Sequence, residues 1–453
     1  MPISYKDVFK ENGQPSITYI RQDQGKHEIE LEAGLDSKGT ICLITGPSKT
    51  GKTTLYTEVL KSKGLEQLKV KCNQSLLPED VWRSALEKIN FSQIAEITTE
   101  KVKESKIGGM IQTTLGWKWL AGLVAQLSSE FKSTVSDSIV KKRILANPNP
   151  DHLVPVLKYL PYVLVIEDFH YLMSETQETL SQQWKTFIDE EISIIVVDTT
   201  HHALDLAKIN KDLALRYVEI LRGSWLPKDL RQIPNKGFEE LGIKVPESVK
   251  DIIAAESVGL PIVAQSVCLR LCLIKALADK EHPEEDFKFT NRHVFQALSM
   301  VCSVKFKTHS TDYQRFITGL GGRSRAYNMY ELILRTFSLD PPVFTLNIET
   351  IETRLASVLT YNGINLTPSG SVIYAALKSL RKFQAQASIQ LLEWDEREKI
   401  LYILEPTFLF FLRWREARPI PPTIADILRG IAEKLAKNLP KRQTTGVSNY
   451  NKI

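Results

Sequence analysis

The fold is decided by one stretch near the amino terminus, TICLITGPSKTGKTT, which spans residues 40–54. It opens with the apolar run 40–45, which predicts a short buried strand. A Gly-rich turn follows, and we predict a helix that begins near Lys52. The turn matches the phosphate-loop pattern G-x-x-x-x-G-K-[ST], with the residues Gly46, Pro47, Ser48, Lys49, Thr50, Gly51, Lys52 and Thr53.

This arrangement predicts a site for the phosphates of a nucleotide. Glycine lets the backbone approach a phosphate closely, and the N–H groups at the start of the helix point at the anion. Lys52 is expected to reach the terminal phosphates, and the Thr53 hydroxyl, helped by Thr54, to coordinate Mg²⁺. The ligands predicted from the sequence are therefore ATP and Mg²⁺.

A second buried strand ends in two acids. Its apolar run, 162–166, is followed directly by Glu167 and Asp168. One carboxylate is expected to hold Mg²⁺, and the other to polarise the attacking water. Phosphate-loop ATPases usually place Asp first and then Asp or Glu, so the order here leaves the division of roles open. It also leaves open a nucleotide-binding scaffold with negligible turnover.

Polar residues follow a third apolar run, 192–197. Thr199 or Thr200 at this strand end would lie beside the γ-phosphate and orient water. His201 and His202 either contact substrate or cap the loop. Farther on, Arg216 is a candidate for stabilising transition-state charge, in its own subunit or in a neighbouring one, with a surface salt bridge as the alternative.

The three apolar runs indicate strands buried on both faces, which is typical of a parallel sheet in an α/β domain. Later in the chain, three predicted helices precede two strand-like runs, and this is the order of a winged helix. We expect an α/β P-loop NTPase followed by an α-helical lid and a winged helix. The expected domains are an N-terminal segment 1–30, an ATPase core 31–224 with a helical insertion at about 75–150, a lid 225–305, a winged helix 326–420, and a C-terminal helix with a basic tail, 421–453.

Taken together, these features resemble an AAA+-like ATPase of the STAND or archaeal-type group. The run from Glu167 to His170, EDFH, is similar to that group's D-D-F-H strand end, and Gly259-Leu260-Pro261 looks like its G-x-P motif. The segment 404–414 is similar to the one that follows the winged helix in archaeal-type ATPases. The resemblance implies that Pro261 lies near the nucleotide, and that the chain is a switch that changes conformation or oligomerises, in bacteria often in anti-phage defence.

Composition sets limits on partners. The 453 residues carry a net charge of +5, which permits a nucleic-acid partner without requiring one. Lys378, Arg381 and Lys382 end the predicted recognition helix, so a DNA-binding ATPase, such as a loader or a transposition regulator, is the alternative to an internal lever. The expected partners are ATP, further copies of the chain or a separate effector protein, and no membrane.

Cysteine usage and the amino terminus bear on location. The five cysteines are odd in number and widely spaced, which predicts buried free thiols. The first residues lack an apolar signal core, and the most apolar uncharged run, 107–126, is interrupted by Lys118. We therefore expect a cytoplasmic protein.

Overall fold

A computed structural model describes residues 3–89, 145–199, 216–281, 287–318, 329–361 and 368–416. Several predictions fall outside these ranges. They concern most of the helical insertion, Thr200, His201, His202 and the C-terminal helix and tail.

Five parallel strands form the central sheet, in the order β2-β3-β4-β1-β5. The predicted strands at 40–45, 162–166 and 192–197 are confirmed with small changes of boundary. The edge strand β5 was not predicted. The bounds are β1 Ile41–Thr45, β2 Glu66–Lys71, β3 Tyr162–Glu167, β4 Ile194–Val197 and β5 Tyr217–Leu221.

Helices cover both faces of this sheet. Successive residues of a strand point to opposite faces, so each buried strand contributes apolar side chains to both helical layers. Ile41 and Leu43 of β1 pack with Trp82, whereas Cys42 and Ile44 belong to a separate apolar cluster on the other face. The core has the P-loop NTPase fold. The N-terminal segment contains the helix α1 Tyr5–Val8. The described helices of the core are α2 Lys26–Asp36, α3 Lys52–Ser62, α4 Pro78–Leu86, α5 Val154–Tyr159, α6 Ser174–Gln183 and α7 Lys185–Asp189.

A helical region follows the sheet, as the sequence predicts for the lid. Its longest helix begins at Pro261, where proline suits a first helical turn because it lacks an N–H donor. The bounds are α8 Pro227–Leu230, α9 Gln232–Glu240, α10 Glu247–Glu256, α11 Pro261–Glu281, α12 Asn291–Met300 and α13 Thr308–Thr318.

The last described part has the helix and strand order of a winged helix. Three helices precede the β7–β8 hairpin, as predicted, and a short unpredicted strand, β6, pairs antiparallel with β8. A final helix then leaves the hairpin. The bounds are α14 Met329–Ser338, β6 Thr345–Asn347, α15 Ile348–Tyr361, α16 Gly370–Ala387, β7 Leu392–Asp395, β8 Ile400–Ile403 and α17 Pro406–Trp414.

The buried side chains of the lid and the winged helix merge into one apolar cluster, which also contains Val8 and Phe9 of the N-terminal segment. Polar contacts cross the same boundary. The Arg413 guanidinium of α17 makes two hydrogen bonds to Glu256 of α10, at 2.8 and 2.9 Å, and Trp414 Nε1 donates to the same carboxylate at 3.0 Å. The winged helix is therefore tied to the lid by apolar packing and by charge.

All five cysteines are buried and unbonded, which confirms the prediction of free thiols. By length and composition alone, the stretch Pro261–Lys280 of α11 is long and apolar enough to cross a bilayer, with a mean hydropathy of 1.6. Half of that stretch is buried within the protein, where it contributes to the lid core. A core helix of a folded domain has the same character.

Candidate nucleotide-binding site

The predicted phosphate loop connects β1 to α3. Gly46 has φ +144°, and a Cβ atom there would lie 2.1 Å from the carbonyl oxygen of Arg222. Gly51 has φ +95° at the start of α3, another conformation that side chains rarely adopt. Both glycines are thus needed for the path of the loop. Within the loop, Thr50 is buried. Ser48, Lys49 and Thr54 line the adjoining cavity.

Lys52 lies across the loop. Its ammonium donates hydrogen bonds to the carbonyl oxygens of Gly46 at 2.7 Å and Pro47 at 2.9 Å. Burial lowers the pKa of Lys52 to about 8, although Asp198 and the two acids at the end of β3 oppose the shift. In the part of the chain that the structure describes, no carboxylate lies within ion-pair distance of this ammonium, which suits it to binding an anion.

Glu167 is joined to the first turn of α3. Its Oε1 accepts hydrogen bonds from Thr53 Oγ1 and from the Tyr56 hydroxyl, both at 2.8 Å, and Lys69 Nζ lies 2.7 Å from Oε2. Burial raises the pKa of Glu167, but the hydrogen bonds from Lys69, Thr53 and Tyr56 outweigh burial, and the net shift is downward. Glu167 is therefore a carboxylate held in place beside Thr53.

Asp168 is placed differently. Its backbone is left-handed, with φ 61°, and its side chain is about a third exposed beside the cavity. Lys71 Nζ lies 3.6 Å from its Oδ2. The two neighbouring acids thus have distinct surroundings, one bound to Thr53 and one facing the cavity.

The end of β4 brings together three polar side chains of the site. Asp198 Oδ1 lies 2.7 Å from His170 Nδ1 and accepts a hydrogen bond of 2.7 Å from the backbone N–H of Thr199. The Thr199 hydroxyl is buried without a hydrogen-bond partner in the described part of the chain. All three residues line the cavity. Thr199 was expected here, whereas the pairing of Asp198 with His170 was not.

Arg216 lies far from this site within one chain. Its carbonyl accepts a hydrogen bond from Ile41 N, so it sits at the amino end of the sheet, whereas the phosphate loop follows the carboxyl end of β1. At about 3.3 Å per strand residue, the two ends are separated by roughly 15 Å. A role at its own subunit's phosphates is therefore wrong, whereas the role in a neighbouring subunit and the surface salt bridge both stay predictions.

Arg222, six residues later, reaches the site instead. Its Nε donates to the Thr50 carbonyl oxygen at 3.0 Å, and Trp225 Nε1 donates to the same oxygen at 2.9 Å. The guanidinium also lies 5.2 Å from the centre of the Trp225 ring. Arg222 and Trp225 thus fix the phosphate loop through the Thr50 carbonyl oxygen. Trp225 also continues into the lid, since its backbone N–H donates to Gly259 O at 3.0 Å.

The cavity at this site has a volume of about 810 Å³ and is lined by four parts of the chain. The sheet contributes the residues described above, and the N-terminal segment contributes Thr18 and Tyr19. The lid supplies Pro261, as the G-x-P resemblance implies, and Gln265. The winged helix supplies Gln390, Glu393, Leu404 and Glu405.

The residues fit a nucleotide with Mg²⁺. Within the described ranges, no group of three or more His, Cys, Asp or Glu side chains could hold a metal ion without other ligands. Mg²⁺ commonly binds through one or two carboxylates together with phosphate oxygens and water. Thr53 and Glu167 beside a phosphate loop are a set of that kind.

No family model matches this chain, and no curated protein matches it. Solved structures do. A Walker-type ATPase of Pyrococcus abyssi is 15% identical, with TM-score 0.49, over 90% of this chain and 99% of that one. The Cdc6 protein of Pyrobaculum aerophilum is 12% identical, with TM-score 0.38, over 91% and 99%. The Orc1 protein of Aeropyrum pernix, solved with DNA, is 14% identical, with TM-score 0.39, over 94% and 98%.

Proposed function

We propose that this chain binds and hydrolyses ATP with Mg²⁺, and that the bound nucleotide sets the position of the lid and the winged helix relative to the sheet. One observation carries the proposal. The phosphate loop, the acids at the end of β3, Pro261 of the lid and Glu405 of the winged helix line the same cavity. A ligand there would contact all of these parts, so a change in the ligand can change their arrangement.

The roles of the two acids follow from their surroundings. When bound, Mg²⁺ neutralises charge on the phosphate oxygens. Thr53 and Glu167 would hold the ion, because they already lie side by side with their oxygens 2.8 Å apart. Asp168, which faces the cavity, would accept the proton of the attacking water. The Thr199 hydroxyl and the Asp198–His170 pair would orient that water from the neighbouring strand.

Lys52 would bind the terminal phosphates. Its ammonium is buried among backbone carbonyl oxygens, and phosphate oxygens offer it stronger, charge-assisted hydrogen bonds. The exchange of carbonyl for phosphate partners also favours the charged form of Lys52, which burial opposes. Lys52 thus contributes both affinity and charge neutralisation.

The winged helix is better suited to an internal role than to reading DNA. Arg413 is buried and ion-paired with Glu256 of the lid, which fixes α17 against α10. On the outer helix α16, Lys378 lies 2.9 Å from Glu396 of the wing, so an acid competes for that cation. We infer that the winged helix acts as a lever on the nucleotide cavity.

A DNA-binding ATPase is the second candidate, favoured by the exposed cations Lys378, Arg381 and Lys382 on α16. It predicts binding that weakens steeply with salt. Replacing all three cations with Gln should then abolish ATP-dependent DNA binding in a fluorescence anisotropy assay. If DNA binding persists unchanged, the winged helix is not the DNA-binding element.

The ATPase proposal is tested by Lys52→Ala, which should abolish ATP binding in isothermal titration calorimetry. Lys61→Ala is the matched control, because Lys61 lies on the same helix and is exposed. If Lys52→Ala binds ATP with the affinity of the unmodified chain, the site is wrongly assigned. Phosphate release, measured on the same proteins, separates an ATPase from a nucleotide-binding scaffold.

The proposed cellular setting rests only on the family resemblance. A STAND-like switch would assemble with further copies of itself or act on a separate effector protein, and anti-phage signalling is one such setting. Mass photometry with ATP and with ADP tests the assembly. A larger species with ATP alone supports it.

A further inference from the structure

A second cavity adjoins the nucleotide cavity and has a volume of about 460 Å³. We call it the junction cavity, because the N-terminal segment, the phosphate loop, the lid and the start of α17 all contribute to its wall. Its volume is within the range of small-molecule sites. None of the roles proposed above uses it.

The charges in the junction cavity are unequal. Lys49, Arg270 and Lys305 face two acids, Glu11 and Glu405. Arg270 lies 3.1 Å from Glu11, which accounts for one pair. In the described ranges, neither Lys49 nor Lys305 has a carboxylate oxygen within ion-pair distance, so two cations lack a direct counter-charge.

Glu405 does not offset these cations fully, because three cations face two acids and its Oε1 is directed at the start of α17. Its Oε1 accepts a hydrogen bond of 2.7 Å from Thr407 Oγ1 and caps the first turn of α17. The Glu405 carboxylate is therefore held by the helix end and by the Thr407 hydroxyl rather than by a lysine.

Lys305 is half-buried, whereas Lys49 is exposed. Its Nζ donates to Glu11 O at 2.6 Å and to Ser266 Oγ at 2.9 Å, both neutral acceptors, and an ammonium has three protons. Burial lowers the pKa of Lys305 to about 8; Glu11 opposes the shift, and Arg270 and Lys49 add to it. An anion in the cavity would offset both the burial and the like charges.

His309 supplies an independent observation. It is 9% exposed and lines the cavity, and its Nδ1 has no hydrogen-bond partner in the described part of the chain. Nε2 lies 2.9 Å from Thr407 Oγ1, whose proton goes to Glu405, so Nε2 carries the imidazole hydrogen. In the neutral ring Nδ1 is then an acceptor, which suits a hydroxyl donor on a ligand.

We propose that the junction cavity binds a small phosphate monoester that also carries hydroxyl groups, such as a sugar phosphate. The phosphate would take its counter-charge from Lys305 and Lys49, and a hydroxyl would donate to His309 Nδ1. Lys49 belongs to the phosphate loop, and Glu405 lines both cavities. The ligand is thus placed to affect the nucleotide cavity and to act as a trigger.

The test uses ribose 5-phosphate as the probe, in isothermal titration calorimetry of the full chain saturated with ADP and Mg²⁺. We expect one site per chain for the probe, no binding of unphosphorylated ribose, and at least tenfold weaker binding in Lys305→Met. Lys275→Met is the matched control, since Lys275 is on α11 and lines neither cavity. If Lys305→Met does not fold, Lys49→Asn, at an exposed position of positive φ, should weaken binding severalfold.

Three results would overturn the proposal. They are no heat of binding when the probe is added to the ADP-saturated chain, equal affinity of the probe for Lys305→Met and the unmodified chain, or displacement of ADP by the probe. The Lys52→Ala variant keeps this test separate from the proposed ATPase function. Without nucleotide, that variant should bind ribose 5-phosphate as the unmodified chain does. Binding lost with Lys52 would assign the probe to the phosphate loop and also overturn the junction site.

Discussion

The hydroxyl of Thr53 and the carboxylate of Glu167 are joined by a hydrogen bond of 2.8 Å that connects the first turn of α3 to the end of β3. The two groups best suited to hold Mg²⁺ are therefore adjacent. The acid order, Glu before Asp, agrees with the proposed roles, in which the first acid would hold the metal and the second would face the attacking water.

The first prediction separates these two acids. Asp168→Asn should leave ATP affinity within about threefold but lower turnover by about 10²-fold or more, because general base catalysis contributes on that scale. Glu167→Gln should instead weaken Mg²⁺-dependent nucleotide binding. Calorimetry with and without Mg²⁺, together with phosphate release, measures both. The opposite pattern would exchange the two roles.

The second prediction concerns protons. Burial holds the pKa of Lys52 at about 8, below its ordinary value, so Lys52 of the free protein is less than half protonated above pH 8. Phosphate binding should raise that pKa again, and ATP should therefore bind with proton uptake near pH 8.5. Titration calorimetry in buffers of different ionisation enthalpy measures the uptake. Binding heats that do not depend on the buffer would contradict it.

The lowered pKa of Lys52 also sets the direction in which the stability of the folded protein changes with pH. A lysine whose pKa is lowered by folding destabilises the folded state at pH values below about 8, where it must stay charged. That cost falls as the pH rises from about 8 towards the ordinary lysine pKa. Relative to Lys52→Met, the unmodified chain should thus gain stability across this interval, as urea unfolding at several pH values would show.

The third prediction concerns the two donors behind the phosphate loop. Trp225→Phe keeps a ring beside Arg222 but removes the hydrogen bond to Thr50 O. We expect a loss of about 1 kcal/mol in the free energy of unfolding and weaker ATP binding. Trp184→Phe is the control, because the Trp184 indole N–H is buried without a partner in the described ranges. Equal ATP affinities for the two variants would show that the Trp225 bond does not position the loop.

The fourth prediction concerns the link between α17 and α10. Arg413→Met removes the guanidinium bonded to Glu256 and should cost about 3 kcal/mol of stability, since it leaves a largely buried carboxylate with fewer partners. Lys378→Met breaks an exposed pair that solvent screens, so the loss of stability should be much smaller. Urea unfolding of both variants measures the difference. Similar losses would mean that the Arg413 pair contributes no more than a surface contact.

The fifth prediction concerns Arg216, which is exposed at the amino end of β5. If it acts on a neighbouring subunit, Arg216→Ala should lower ATP turnover at protein concentrations where the chain is assembled and have no effect on the monomer. A concentration series of phosphate release, paired with mass photometry, tests this. An equal effect in monomer and assembly would contradict a role between subunits.

The sequence predicted the parts of the site that follow continuous apolar runs. β1, β3 and β4 are buried on both faces, so their positions, and those of Lys52, Glu167 and Thr199, could be read directly. β5 was missed because it is an edge strand in which Glu219 is exposed, so the run is not continuously apolar. Arg222 was missed for the same reason, since nothing marked the strand that carries it.

Other features depend on contacts between distant parts of the chain. His170 and Asp198 are 28 residues apart, and only the adjacency of β3 and β4 brings their side chains together. The junction cavity combines residues from Glu11 to Thr407. Periodicity and spacing describe one segment at a time, so neither contact has a local signal.

The shared apolar core of the N-terminal segment, the lid and the winged helix limits how the nucleotide cavity can open. Separating these parts from one another would expose side chains that are now buried, at about 25 cal/mol for each Å² of apolar surface. Rotation of the whole assembly as one rigid body would leave that core intact, and it would bend the chain at both connections to the sheet, residues 21–25 before α2 and 222–226 after β5. The described structure therefore favours a hinge formed by these two connections, which meet where Gln22 contacts the carbonyl oxygens of Gly223 and Ser224, with Trp225 bonded to the phosphate loop.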